Sequence, residues 1–264
     1  MTAITEQTYQ HILFAQDGAI AYLTMNRPAK RNALSVAHMQ ELLACFQAIG
    51  AERTVAAVIL RGNGPVFSAG HDLGEMIGQS REFYEHEFAL CSELMETIVG
   101  LPQPVIAEVH GIATAAGCQL VASCDLAVAA EEARFATPGV KIGLFCSTPM
   151  VALSRAVGRK KAMEMLLTGE FISAEEAREF GLINRVVPAG ELSAATRALA
   201  EKIAAASPLV VGIGKAAFYR QAELPLHDAY AYASEVMTGN AQLEDAQEGM
   251  CAFLEKRTPE WRGK

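Results

Sequence analysis

Two turns rich in glycine and alanine carry residue types that can stabilise a developing negative charge with backbone alone. The first is Phe67-Ser68-Ala69-Gly70-His71-Asp72-Leu73, directly after the apolar run 55–60. The second is His110-Gly111-Ile112-Ala113-Thr114-Ala115-Ala116-Gly117-Cys118-Gln119-Leu120, directly after the run 105–109. Small residues let a backbone N–H approach a substrate carbonyl, and two such donors converging on one oxygen stabilise an enolate or a tetrahedral oxyanion. Strand-to-helix turns of this kind also bind dinucleotides and phosphates, but the wording here is different. No G-x-G-x-x-G follows the first strand, and no G-x-x-x-x-G-K-[ST] occurs.

The elements that must hold these turns are strands in the first half of the chain and helices in the second. Ile20 to Met25 reads as a strand ending at the Asn26-Arg27-Pro28 turn, and a helix capped by Ser35 carries Met39, Leu42, Leu43 and Phe46 on one face. Further strands are expected at 55–60, 105–109 and 126–130, with helices near 82–98 and 115–123. Ser173-Ala174-Glu175-Glu176 has the form of a capping box for a helix ending near Gly181. From Glu191 onward the chain reads as helix, with breaks at Ser207-Pro208 and Leu224-Pro225. The sequence itself contains no repeat.

Composition narrows the function classes. A chain of 264 residues with 51% hydrophobic residues can bury a large α/β core. A net charge of −8 argues against a nucleic-acid partner, which needs a broad basic surface, but leaves room for a phosphorylated ligand held by a local basic cluster. The six cysteines form no CxxC pair and no metal-ligand spacing with histidine, so they read as reduced, mostly buried thiols with no metal. The longest weakly polar stretch, 111–124, falls short of the roughly 20 apolar residues that a membrane span needs. Residues 1–11 show no signal-peptide or transit-peptide pattern, so the expected location is the cytoplasm.

Ser68-Ala69-Gly70-x-Asp72-Leu73, followed by His110-Gly111 and then Gly117-Cys118-x-Leu120 and Cys124-Asp125, resembles the crotonase superfamily, also called the enoyl-CoA hydratase/isomerase family. The resemblance continues through Asn26-Arg27-Pro28 with Lys30-Arg31-Asn32-Ala33-Leu34, Phe135-x-x-Pro138, Gly181-Leu182-Ile183-Asn184-Arg185 and Glu248-Gly249-Met250-x-Ala252-Phe253. Gln119 and the run Leu144 to Pro149 look most like the branch of enoyl-CoA hydratase domain-containing protein 3. The resemblance implies an α/β fold, a crotonase spiral of ββα units over 1–200, with a C-terminal helical region over 201–264 that assembles a homotrimer or a dimer of trimers.

The resemblance also implies a ligand, a coenzyme A thioester as substrate, with no permanently bound cofactor. It assigns the backbone N–H groups of His71 and Ala116 to the thioester oxygen and leaves the His71 ring as a wall of the CoA groove. Arg27, Lys30, Arg31 and Ala33 fall where relatives touch the nucleotide end of CoA, with Ala69, Asp72 and Leu73 in the neighbouring loop. Phe253 and Lys256 fall where relatives reach the CoA of a neighbouring subunit.

In hydratases of this family one glutamate follows the Gly-Cys of the second motif, and another follows the proline of Phe-x-x-Pro. Here those positions are Gln119 and Gly139. An amide cannot exchange a proton at a useful rate and glycine offers no side chain, so ordinary hydration of an enoyl thioester is not expected. Candidate substitutes are Glu82, Glu85, Glu87, Glu93 and Glu96, in a segment that borders the acyl pocket in relatives and reads mostly as solvated helix surface, and Cys146-Ser147-Thr148. Three readings stay open. The chain is an enolate-stabilising enzyme with a non-standard acid or base, or a non-catalytic acyl-CoA-binding protein. The third is another crotonase reaction such as a naphthoyl-CoA synthase-like ring closure, which Thr137 argues against because that branch keeps a glutamine there.

Overall fold

A computed structural model describes residues 8–264. In chain order the elements are β1 (Ile12–Asp17), β2 (Ile20–Met25), α1 (Val36–Ala51), β3 (Ala57–Gly62), α2 (Leu73–Met76), α3 (Arg81–Gly100), β4 (Val105–Val109), β5 (Ile112–Thr114), α4 (Ala116–Ser123), β6 (Leu126–Ala130) and β7 (Arg134–Ala136). They continue with α5 (Pro149–Ala156), α6 (Arg159–Thr168), β8 (Ile172–Ser173), α7 (Ala174–Glu179), β9 (Arg185–Val187), α8 (Leu192–Ala204), α9 (Pro208–Gln221), α10 (Leu226–Ala241) and α11 (Glu244–Glu255).

The larger sheet has the order β1-β2-β3-β4-β6-β9, antiparallel only at β1–β2. Its central strands are apolar on both faces, as a parallel sheet covered on two sides requires. Along β3, Val58 and Leu60 face the core shared with α1, α3 and α4, while Ala57 and Ile59 face the opposite core with Leu192 and Ala200 of α8. The same alternation runs through β4 and β6. Ser35 caps α1 by accepting from the His38 N–H, and Ser173 and Glu176 complete the reciprocal capping box of α7.

A repeat invisible in the sequence emerges from the topology. Three consecutive segments each run from a long strand of the first sheet into a short strand or bridge of the second, and then toward a helix. β3 leads through the Ser68–Ala113 bridge to α2, β4 leads through β5 to α4, and β6 leads through β7 and a 3-10 turn at Pro138–Ile142 toward α5. Thr114 N–H donates to Ser68 O and Ala115 N–H donates to Ala136 O, both at 3.0 Å, which stacks the three segments in register. β5, β7 and β8 span only two or three residues, too few for a periodic signal, and they escape sequence reading for that reason.

The C-terminal helices differ from the rest. No residue of α9 or α10 is buried. Lys215 Nζ and Tyr219 OH of α9 donate to the Asp125 carboxylate at 2.7 and 3.0 Å, Lys215 also donates to Ile98 O and Gln103 O, and α10 packs on α9 and α11. The expected boundary at 200/201 lies inside α8, and the chain leaves the sheet at Ser207-Pro208. Among the described residues no helix is long and apolar enough to cross a membrane.

Candidate active site

The stacked segments bring the predicted turns to one place. At the point where each leaves its second-sheet strand stand Ala69 to Asp72, then Ala115 and Ala116, then Thr137 to Gly139. Ala69, His71, Leu73, Ala116 and Gly139 all line a single cavity of about 360 Å³. Its remaining wall is mostly apolar and includes Phe88, Ile142, Leu144, Phe145 and Cys146. A concave, largely apolar pocket with a few convergent polar groups is the usual form of a small-molecule site.

Close packing between the turns needs their glycines. A Cβ on Gly70 (φ +88°) would lie 2.8 Å from Ala115 Cβ and 3.2 Å from Ala116 N. A Cβ on Gly117 would overlap the Ser68 carbonyl oxygen. Ala115 itself has φ 51° and ψ −119°, a conformation that costs a non-glycine residue about 1–3 kcal/mol. It turns the chain so that Ala116 opens α4 with its N–H outside the helical ladder. Among the described residues neither the His71 nor the Ala116 amide donates to a protein acceptor. Both residues line the cavity, and the positive end of the α4 dipole lies at Ala116.

Gln119 and Gly139 are arranged differently from a pair of facing side chains. Gln119 is buried behind the wall, where its Oε1 accepts from Cys91 Sγ at 3.9 Å. Gly139 sits on the wall, but a Cβ there would overlap Leu144 O and come within 2.9 Å of Cys146 Sγ. Cys146 accepts from the Gly139 N–H at 3.4 Å, and burial pushes its thiol pKa up. The Cys118 thiol, buried on α4, is pushed up to about 12 by the same cause. Neither thiol is a thiolate near neutral pH.

The five glutamates of α3 separate cleanly. Glu82, Glu85, Glu93 and Glu96 are exposed, whereas Glu87 is fully buried and its Oε1 lies 3.3 Å from His71 Nδ1. The approach is short enough for an ion pair, but neither nitrogen of His71 and neither oxygen of Glu87 makes an aligned hydrogen bond. Burial works against a charged imidazole, but the Cys91 thiol and the Glu87 carboxylate beside it outweigh burial and raise the His71 pKa to about 9. The His71 ring also meets Phe88 edge-on at 5.6 Å. Sequence reading left Glu87 undistinguished among its neighbours. The signal was its register, since Glu87, Leu90, Cys91, Leu94, Met95 and Ile98 form one helical stripe facing the core.

The basic turn is stitched to the first oxyanion turn. Ala69 N–H donates to Arg31 O at 3.0 Å and Leu34 N–H donates to Gly70 O at 2.7 Å. Arg27 is turned inward, donating to Ala33 O at 2.6 Å and to Asp72 Oδ2 at 3.1 Å, while Lys30 and Arg31 are exposed. Phe253 and Lys256 are not brought to the cavity. They are exposed near the end of α11, Phe253 beside a separate surface hollow with Trp261.

The sequence matches the family described as "Enoyl-CoA hydratase/isomerase" over residues 15–264. The chain belongs to that family. The mouse protein enoyl-CoA hydratase domain-containing protein 3, mitochondrial (Mus musculus) is 50% identical over 93% of this chain and 82% of its own length. The crystal structure of the human enoyl coenzyme A hydratase domain-containing protein 3 superposes with a TM-score of 0.94 at 49% identity, covering 96% of this chain and all of that one (100%). An enoyl-CoA hydratase structure from Mycobacterium smegmatis gives a TM-score of 0.94 at 52% identity, covering 96% and 99% of the two chains. The spiral of stacked ββα segments with appended C-terminal helices is therefore the crotonase fold. Among the described residues no three side chains of the types that ligate metals gather into a metal site.

Proposed function

We propose that this member of the enoyl-CoA hydratase/isomerase family binds acyl-CoA thioesters and acts on them through a thioester enolate held by the amides of His71 and Ala116. One observation carries the reading: His71 and Ala116, whose amides have no acceptor in the protein, stand on turns packed against each other through Gly70 and line the same largely apolar cavity. In such a site each donor to the developing oxyanion is worth on the order of 3 kcal/mol in barrier height. The exposed Lys30 and Arg31 are the groups that meet the phosphates of CoA, and Arg27 acts from behind by fixing Asp72 and the loop. Gln119 and Gly139 take the positions of the usual glutamates, so hydration by that pair is not the reaction.

A second reading, acyl-CoA binding without turnover, is favoured by the packing of Gly139 against Leu144 O, which leaves no room for a side chain there. The exposed α9 and α10 and the Phe253 and Lys256 region are the surface on which a homotrimer or dimer of trimers forms and completes the CoA site. Calorimetry with acetyl-CoA and with acetate tests the central claim. Saturable heat with the thioester and none with the acid supports it; no saturation at millimolar acetyl-CoA removes it.

A further inference from the structure

Two kinds of residue line the cavity. His71 and Ala116 bring amides that have no acceptor in the protein, and Leu73, Phe88, Ile142, Leu144 and Phe145 bring large apolar side chains drawn from α2, α3 and the loop before α5. Four of those five side chains also meet solvent: Leu73 is 46% exposed, Ile142 61%, Leu144 42% and Phe145 39%. Apolar side chains that line a cavity and still touch water form its rim, and exposed apolar surface around a concavity is a common mark of a ligand groove. The cavity thus opens through an apolar mouth instead of closing on a short acyl group.

Charge is scarce on this wall. Among the described residues it carries no carboxylate and no arginine. Its one lysine, Lys141, is exposed and lays its stem against Gly169, a residue outside the wall: a Cβ on Gly169 would lie 3.3 Å from Lys141 Cε. The His71 ring offers a ligand no cation either, since both of its nitrogens are shut off from solvent. A carboxylate at the far end of an acyl chain would therefore lose its water without gaining a partner, which is strongly unfavourable. Size points the same way. The cavity of about 360 Å³ holds about a dozen heavy atoms at the roughly 30 Å³ that a water takes in the liquid; the thioester uses about four of them and leaves about eight for carbon.

We infer that the acyl group is a medium-length apolar chain without a terminal charge, and that Phe145 and Ile142 at the cavity mouth set this preference. The inference rests on the acyl-CoA reading above and names its acyl class. Each methylene carried from water onto such a wall strengthens binding by up to about 4-fold. Acetyl-CoA is too short to reach the mouth and gains nothing from it.

The test is calorimetry with acetyl-, butyryl-, octanoyl- and suberyl-CoA, the last matching octanoyl-CoA in carbon count but ending in a carboxylate. Wild type should bind octanoyl-CoA on the order of 10²-fold more tightly than butyryl-CoA, and suberyl-CoA about 10-fold or more below octanoyl-CoA. Phe145→Ala and Ile142→Ala should each weaken octanoyl-CoA by about 5–20-fold and leave acetyl-CoA within about 3-fold, since only the longer chain reaches them. Phe171→Ala removes an apolar side chain that is 52% exposed but stands outside the wall, and it should change nothing. Octanoyl-CoA bound no more tightly than butyryl-CoA overturns the proposal. So does suberyl-CoA bound more tightly than octanoyl-CoA, with the excess lost in Lys141→Ala, which would mark a carboxylate-bearing substrate. A chain-length gain that survives both Phe145→Ala and Ile142→Ala, or that Phe171→Ala also removes, overturns the assignment to this mouth. Absence of binding by every thioester, acetyl-CoA included, overturns the reading on which the proposal rests.

Discussion

Gly70 and Ala116 hold the two small-residue turns together: a methyl group on Gly70 would lie 3.2 Å from the Ala116 nitrogen and 3.0 Å from Thr114 O. The same glycine has φ +88°, so a side chain there is strained as well as crowded. Gly70→Ala is expected to lower stability by about 1–3 kcal/mol and to weaken acyl-CoA binding, because relief of the clash separates the two amides. Thermal unfolding and calorimetry on the same sample check this. A variant with wild-type affinity would mean that the turns need not touch.

The basic turn should divide into two roles. Lys30→Ala and Arg31→Ala leave the fold intact and weaken CoA thioester binding by about 1.5–3 kcal/mol per lost charged contact, with a loss that shrinks as salt rises. Arg27→Ala instead strips Asp72 and Ala33 O of a donor and lowers the unfolding temperature. Equal salt-dependent binding losses in all three would contradict the division.

Wild type should hydrate crotonyl-CoA far below the usual enzymatic range of about 1–10³ per second. Gly139→Glu combined with Gln119→Glu should not install hydratase activity either, since a Cβ at 139 overlaps Leu144 O and the residue 119 side chain points toward Cys91. Steady-state absorbance assays decide both points. Rapid hydration by wild type would show that another group performs the proton transfer.

Two histidines should give stability opposite dependences on pH. Burial lowers the His38 pKa to about 4, so the folded state resists a proton that the unfolded chain accepts, and stability falls as pH drops from about 6.5 toward 4. His71 is raised to about 9, so its contribution is complete below about 6.5 and is lost as pH rises through 9. Melting curves from pH 4 to 10 should show both limbs. Glu87→Gln should flatten the alkaline one only.

Sedimentation should find an assembly of at least three chains. Phe253 and Leu254 are 82% and 79% exposed, Met237 and Tyr230 are each 70% exposed, and no residue of α9 or α10 is buried within one protomer. Phe253→Glu with Leu254→Glu should shift the distribution toward smaller species. A wild-type monomer with full CoA affinity would refute the shared site.

The sequence alone determined whatever rests on local chemistry. Ser35 and Ser173 cap helices because their hydroxyls reach amides three residues on, and Pro208 and Pro225 stand at the starts of α9 and α10, where the missing proline N–H has no helical partner to lose. The small residues of both turns announced close backbone approach for the same local reason. Tertiary structure decided what depends on which faces meet. Glu87 and Glu85 are two residues apart on one helix, yet α3 turns the first toward His71 and the second to solvent. Gln119 lies in a motif beside the cavity, but α4 packs on α3 and directs its side chain to Cys91. Gly139 lacks room for a Cβ because the segment from 139 to 146 folds back on itself. Helical and strand periods say only that a face is apolar. Long-range packing selects its partner, and here that choice set the imidazole of cavity-lining His71 against a buried carboxylate.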